Sequence, residues 1–374
     1  DNRRTGVVRN NSIGSVNIGG TNTSLVRFES IFISGSPGTT IYVSNNTIGS
    51  TTTANSINAT NSAMYIELAG IYSNISSGSL NVDGNTIANM TNSSTNSAAY
   101  LRGIFQTGND INLDFTNNTV SELVCSGTST SRAPQSAPCI GIVTGSSSDF
   151  QTVSGNTIKG IRANGNAGVH VFGFGHSNSG SMGTFSKNKI YDITNSSTTG
   201  SPKIWGVNAY WGSWNYYNNQ ITITNAEASD YIQYNEPVIN TTPLEERYKV
   251  DINTNPALCS DAPVTTMPET KQEIITDAST NNVEVKGIHD EAQFACVYYY
   301  NSVYVGGSQS SGASNSWAYD RPLSDWPTPV TMKNNILFNA RTGGTGKHYA
   351  VGNEIGDTNW TSTASNYNVF ISSN

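Results

Sequence analysis

Asn45-Asn46-Thr47-Ile48 is a short motif in a chain of 374 residues, and it returns along the whole length. It stands again as Asn10-Asn11-Ser12-Ile13, Gly84-Asn85-Thr86-Ile87, Asn117-Asn118-Thr119-Val120, Gly155-Asn156-Thr157-Ile158 and Lys187-Asn188-Lys189-Ile190. Further on it reads Asn218-Asn219-Gln220-Ile221, Tyr300-Asn301-Ser302-Val303, Asn334-Asn335-Ile336-Leu337 and, in weaker form, Asn366-Tyr367-Asn368-Val369. Taking the second Asn as marker (11, 46, 85, 118, 156, 188, 219, 301, 335, 368), the steps are 35, 39, 33, 38, 32, 31, 82, 34 and 33 residues. A repeat of this size is the mark of a solenoid.

The residues between markers choose the kind of solenoid. Apolar side chains alternate, as in Ile41-Tyr42-Val43, Ile111-Asn112-Leu113-Asp114-Phe115 and Val303-Tyr304-Val305. That is a strand pattern, and turn formers such as Ser36-Pro37-Gly38 separate the runs. A second column has the same period: Gly70, Gly103, Gly141 and Gly173 each precede their marker by 15 residues, and Gly206 and Gly287 do so by 13 and 14. The expected fold is all-β, a right-handed parallel β-helix of about ten coils with three short strands each. One isolated coil cannot bury its inward Ile, Val and Phe, whereas a stack of coils can.

Within that fold the marker column has a structural task. Stacked strands lie about 4.8 Å apart, so the amides of Asn11, Asn46, Asn85, Asn118, Asn156, Asn188, Asn219, Asn301, Asn335 and Asn368 can bond from coil to coil. Asn also tolerates the left-handed backbone that a sharp corner demands, and we expect the marker itself to adopt it. We expect one domain over residues 1–374, a rod of roughly 50 Å.

Composition narrows the function. Charged residues are 12% of the chain against the usual quarter or so, and the net charge is −7. No basic patch is interleaved with aromatics, which argues against nucleic acid. No apolar run reaches membrane-spanning length, which argues against insertion in a bilayer. Strand-like sequence begins by Gly6-Val7-Val8 and no amphipathic cap is evident at either end. The expectation is a processed segment of something longer, or a subunit whose ends stack on neighbours.

The 82-residue step holds an insertion, read as residues 225–285, rich in Asp and Glu and carrying Pro237, Pro243, Pro256, Pro263 and Pro268. Those prolines argue against a long helix or a central strand. A surface excursion follows, suited to a partner contact or a weak cation site. The four cysteines lack C-x-x-C spacing; the expected pairs are the disulfides Cys125–Cys139 and Cys259–Cys296 in an oxidising setting, with four buried thiols as the alternative.

Chemistry is scarce. No metal-ligand spacing, cofactor motif, phosphate loop or nucleophile elbow is present, and the calcium nonapeptide G-G-x-G-x-D is absent. Stacking His289-Asp290, Asp320-Arg321 and Gly352-Asn353-Glu354 would place carboxylates near the separation that retaining glycosidases use. Asp290, Asp320 and Arg321 are therefore the catalytic candidates for a polysaccharide hydrolase or lyase; a surface ladder of ion pairs is the plainer use of them. Trp211, Trp214 and Tyr217 crowd one coil and could stack on sugar rings.

The stretch from Tyr300-Asn301-Ser302-Val303-Tyr304-Val305-Gly306-Gly307 through Asn334-Asn335-Ile336-Leu337-Phe338-Asn339-Ala340-Arg341 to Ser365-Asn366-Tyr367-Asn368 resembles a known family. It is similar to the repeat modules of very large secreted surface proteins of Bacteroidota and related bacteria, typically exported by the type IX route. The match covers roughly residues 284–370. The resemblance implies an extracellular or cell-surface location and a structural part in a filament, sheath or adhesin, with self-association end to end and glycans as a further partner. It carries over no catalytic residue and no cofactor.

Overall fold

The computed structural model describes residues 5–20, 24–35, 38–60, 65–109, 111–147, 151–165, 167–178, 180–225, 278–279, 282–322, 329–354 and 365–373. Among them the only helical segment is a single 3-10 turn, Pro134–Ser136. Everything else regular is strand. Three large sheets take strands in rotation along the chain, and in each the spatial order is the sequence order. Sheet I runs from Thr5–Arg9 to Ser365–Asn366, sheet II from Ser12–Ile13 to Val369–Ser372, and sheet III from Val26–Ile33 to His348–Asn353. The pairings are parallel throughout, as in Phe115 opposite Val153 or Ile158 opposite Ile190. This is an all-β repeat architecture of parallel strands in stacked sheets, the arrangement of a parallel β-solenoid.

Register explains the period in the sequence. One core column of sheet I is Val43, Val82, Phe115, Val153, Phe185, Tyr216, Tyr298 and Met332, each at most 1% exposed. Each such side chain contributes about 1.5–3 kcal/mol by leaving water. Rings stack in the core, Phe174 on Phe185 between sheets III and I at 4.3 Å and Tyr216 on Tyr298 in register at 4.7 Å.

The glycine column has a steric cause. A Cβ on Gly173 would stand 2.6 Å from Gly206 O and 2.7 Å from Ile190 Cγ2, an inward residue of sheet II. Nothing larger than hydrogen fits between two sheets that close together. The column also shifts the alternation of sheet III by one residue. Leu101 and Ile104, three apart, both enter the main core, while Phe105 joins a separate outward cluster with Ile140, Val143, Phe172 and Trp205. Arg102, which Gly103 separates from Ile104, lies over the outward Phe105 ring at 4.2 Å.

At the turn from sheet I to sheet II, the left-handed residue is the one before each marker. Asn10, Asn45, Gly84, Asn117, Gly155, Lys187, Asn218, Tyr300, Asn334 and Tyr367 have φ between 54° and 69°. This corrects the expectation that the marker Asn takes that backbone. Two neighbours divide the work: the first turns the chain and stays at the surface, the second turns inward and bonds.

The Cys125–Cys139 disulfide does not form. Both are free, buried thiols. Cys125 ends a strand of sheet II with Sγ 3.9 Å from Ala99 O, and Cys139 opens a strand of sheet III with Sγ 3.7 Å from Leu123 O. Burial pushes the Cys125 thiol up to about 12 and the Cys139 thiol well above its ordinary value. The loop between them is held instead over the outer face of sheet III. Arg102 Nη2 donates to Gln135 O at 2.6 Å, Asn208 Nδ2 to Arg132 O at 2.8 Å, and His170 Nδ1 lies 2.8 Å from Ser131 O. Cys296 is also a buried free thiol; its expected partner Cys259 lies outside the described residues.

The chain divides into two compact units, residues 1–226 with 277–374, and residues 227–276. The second lies outside the described residues. Of the segment read as an insertion, Glu284 and Val285 belong to sheet III, opposite Lys203 and Ile204.

Candidate functional site

Two arrangements of polar side chains stand out against the apolar core: a ladder that repeats at every coil and a cluster that occurs once. In the ladder, each marker Asn donates its backbone N–H and its Nδ2 to Oδ1 of the marker one coil on. Asn118 N and Nδ2 lie 2.9 and 3.0 Å from Asn156 Oδ1, and Asn156 N and Nδ2 lie 2.9 and 3.0 Å from Asn188 Oδ1. Nδ2 also reaches back one coil, from Asn156 to Phe115 O and from Asn188 to Val153 O. Each amide thus ties three coils together. The pattern joins all ten markers, from Asn11 and Asn46 through Asn85 to Asn335 and Asn368. It crosses the 82-residue step unchanged, with Asn219 Nδ2 2.9 Å from Asn301 Oδ1.

A second set of asparagines was missed in the sequence. Asn92, Asn195 and Asn339 each donate from Nδ2 to two carbonyls and accept the N–H two residues on, closing the turn that leaves sheet II. Asn92 and Asn195 stand seven residues after their marker and Asn339 four, and Cys125 and Ala163 take the seventh place in other coils, so no regular column announces them.

The cluster sits on the outer face of sheet III. Lys286 and His289 come from Glu284–Asp290, Asp320 from Ser316–Arg321, and Lys203 and Trp205 from Lys203–Ala209. Lys286 and His289 are three apart, and the shift at Gly287 brings them to one side. Lys286 Nζ lies 2.6 Å from Asp320 Oδ2 and 3.3 Å from Glu284 Oε1. His289 Nδ1 lies 3.0 Å from the same Asp320 Oδ2, while its Nε2 lies 3.0 Å from Glu291 Oε1. Glu284 also takes Lys203 Nζ at 3.1 Å and Trp205 Nε1 at 3.3 Å. Indole rings wall the amine: Lys286 Nζ is 5.2 Å from the Trp205 ring and 5.0 Å from that of Trp317. The side chains of Lys286, His289 and Asp320 are 7%, 2% and 4% exposed, so the pairing is desolvated and strong. Burial alone would raise the Asp320 carboxyl, but its bond to His289 and the Lys286 charge hold it below the ordinary range. Glu284 and Glu291 are likewise pushed up by burial and pulled lower on balance, the first by Lys286 and Lys203, the second by His289.

The structure separates the catalytic candidates. Asp320 belongs to this outer cluster. Asp290 is on the other side of its strand, accepting Tyr319 Oη–H at 2.7 Å and the Ala292 N–H at 3.0 Å, with Tyr319 part of the main core. Arg321 is 2% exposed and follows Asp320 along the strand, opposite Asn353. Asp290 and Asp320 therefore do not face one another across a cleft, and the paired-carboxylate reading is corrected. Strand parity put the wrong residues together.

The aromatic candidates also divide. Trp214 is fully buried, its Nε1 bonded to Ser181 Oγ at 2.8 Å and its ring stacked on His176, and so offers nothing to a sugar. Tyr217 is half-buried and tilted against Tyr299. Trp211 alone is open, 37% exposed and stacked on Tyr210 at 5.1 Å. Among the described residues no group of His, Cys, Asp and Glu has the arrangement to hold a metal ion. No family model, no curated protein and no solved structure matches this chain.

Proposed function

We propose that this chain is a structural module of a bacterial extracellular filament or surface layer: a right-handed parallel β-helix of about ten closed coils that stacks end to end on like coils. One observation carries the reading. The ladder is directional: every rung donates from one marker to the Oδ1 of the next, so like coils can continue one another in a single sense. A second copy stacked in the same sense would extend the ladder by the same bonds. Apolar side chains accompany them, with Val8 partly buried at one edge and Phe370 44% exposed at the other, in columns that are buried further in. Unpaired parallel strands with apolar partners are a template for further pairing. The sparse charge of the chain and its likeness to surface-protein repeat modules support the same reading.

Electron microscopy and light scattering of the purified chain over rising concentration provide the test. Filaments with a repeat set by one module are expected, and Val8→Lys or Phe370→Lys abolishes them. Dispersed particles at every concentration sink the proposal.

A second reading, a polysaccharide-binding adhesin, is favoured by the exposed Trp211–Tyr210 stack, the kind of flat platform that takes a sugar ring. Binding on a glycan array that Trp211→Ala removes would promote it. The hydrolase or lyase reading loses its basis with the separation of Asp290 from Asp320.

A further inference from the structure

The outer cluster brings an amine, a carboxyl and an imidazole to one point, shut away from water. Lys286 Nζ and Asp320 Oδ2 are 2.6 Å apart on neighbouring strands. His289 Nδ1 is within reach of both, 3.1 Å from Nζ and 3.0 Å from Oδ2. The far nitrogen of the same ring is 3.0 Å from Glu291 Oε1. Trp205 and Trp317 flank the amine, and Trp205 also lies against His289 with ring centroids 3.9 Å apart. An ion pair needs no shared imidazole and no indole walls. A condensation uses both, a group to carry the proton and an apolar surround to exclude water.

We propose that Lys286 and Asp320 join in an isopeptide bond, a covalent staple between two coils on the outer face of sheet III, with His289 as the catalytic residue. The bond forms between Nζ of Lys286 and Cγ of Asp320, and the Cγ–Oδ2 bond breaks. One proton passes from the ammonium to Oδ2, giving a neutral amine beside a neutral carboxyl. The amine attacks Cγ. His289 Nδ1 takes a second proton from Nζ and returns it to the departing Oδ2 hydroxyl, which leaves as water. Ammonium plus carboxylate becomes amide plus water, with no net change of charge and no outside reactant. Two reacting groups held in contact have a large effective concentration, and exclusion of water opposes the reverse hydrolysis. Glu284, 3.3 Å from Nζ, acts as a positioning residue for the amine.

Intact mass spectrometry of the purified, fully denatured chain is the decisive measurement. The expected mass is one water below that of the sequence, and protease digestion should yield a branched peptide joining the Lys286 and Asp320 segments. Lys286→Arg and Asp320→Ala should each restore the full mass. His289→Gln keeps both reacting side chains and should also stay at full mass, with circular dichroism confirming that its strands are formed. A wild-type chain at full mass overturns the proposal, as does a lost water placed elsewhere, for instance in a succinimide at Asp83-Gly84. A branched peptide in His289→Gln overturns the assignment of the shuttle. The result is independent of filament formation, since the bond lies within one chain.

Discussion

The asparagine corner and the outer face of sheet III are built on the same strands and obey opposite rules. At the corner every coil makes the same contacts, and the residue type is fixed from Asn11 to Asn368. On the outer face each step along the sheet brings a new side chain: Arg102, Ile140, Phe172, Trp205, Lys286, Trp317 and Tyr349 follow one another in a single column. A contact that repeats belongs to the architecture, because each copy is made by the two beside it. A contact made once has no such support and is held by its immediate neighbours. Chemistry is to be sought in the second kind.

The sharpest way to break the comparison is to remove one rung. Asn156→Ala strips Asn118 N and Nδ2 of their acceptor and Phe115 O of a donor, all in a buried setting. We expect a loss of about 3 kcal/mol or more in denaturant unfolding. The same change at the exposed Asn11 should cost under about 1 kcal/mol. Equal losses at both sites would mean that the rungs do not support one another. Next in size is Gly173→Ala, which forces a methyl group against Ile190 and Gly206 O and should cost about 2 kcal/mol in the same assay.

Acid separates the two faces in a different manner. Burial lowers His176, on the core side, to about 3, and His170, on the outer side, to about 4. Both are therefore neutral in the fold, while the unfolded chain takes up their protons near the ordinary value of about 6.5. Stability is complete above that pH and falls as pH drops, at about 1.4 kcal/mol per pH unit for each histidine, until the folded group itself titrates. His176→Gln should flatten this limb of a stability–pH curve by one proton. An unchanged slope would show that His176 does not carry it.

The smallest effect lies at the turning residue. Lys187 occupies the left-handed region at φ 56° with its side chain at the surface. Lys187→Gly should stabilise the chain by about 0.5–1 kcal/mol, seen as a rise in melting temperature, and a fall would show that the side chain supports the corner.

The ladder was legible in the sequence because its period is written there. The pairing of roles within each Asn-Asn motif was less so, although the variants carry the signal. Gly84, Gly155, Lys187 and Tyr300 replace the first Asn while the second persists, as expected if the first is chosen for backbone angle and the second for its amide. The cluster was hidden by a physical detail. Reading Glu284–Asp290 by simple alternation pairs the wrong residues, since Gly287 shifts the phase and puts Lys286 beside His289. The loop between Cys125 and Cys139 misled for a related reason: spacing alone suggested a bridge, whereas Arg102, His170 and Asn208, far apart in sequence, hold it down. No local pattern marks such a contact.

The rung between Asn219 and Asn301 has the same geometry as its neighbours even though 82 residues separate the two. Alignment between adjacent turns is thus kept by contact in space and does not depend on how much polypeptide runs between them. Connector length is a free variable in such a molecule. A chain in which the polypeptide between Asn225 and Glu284 is replaced by one of another length should keep the Asn219–Asn301 rung.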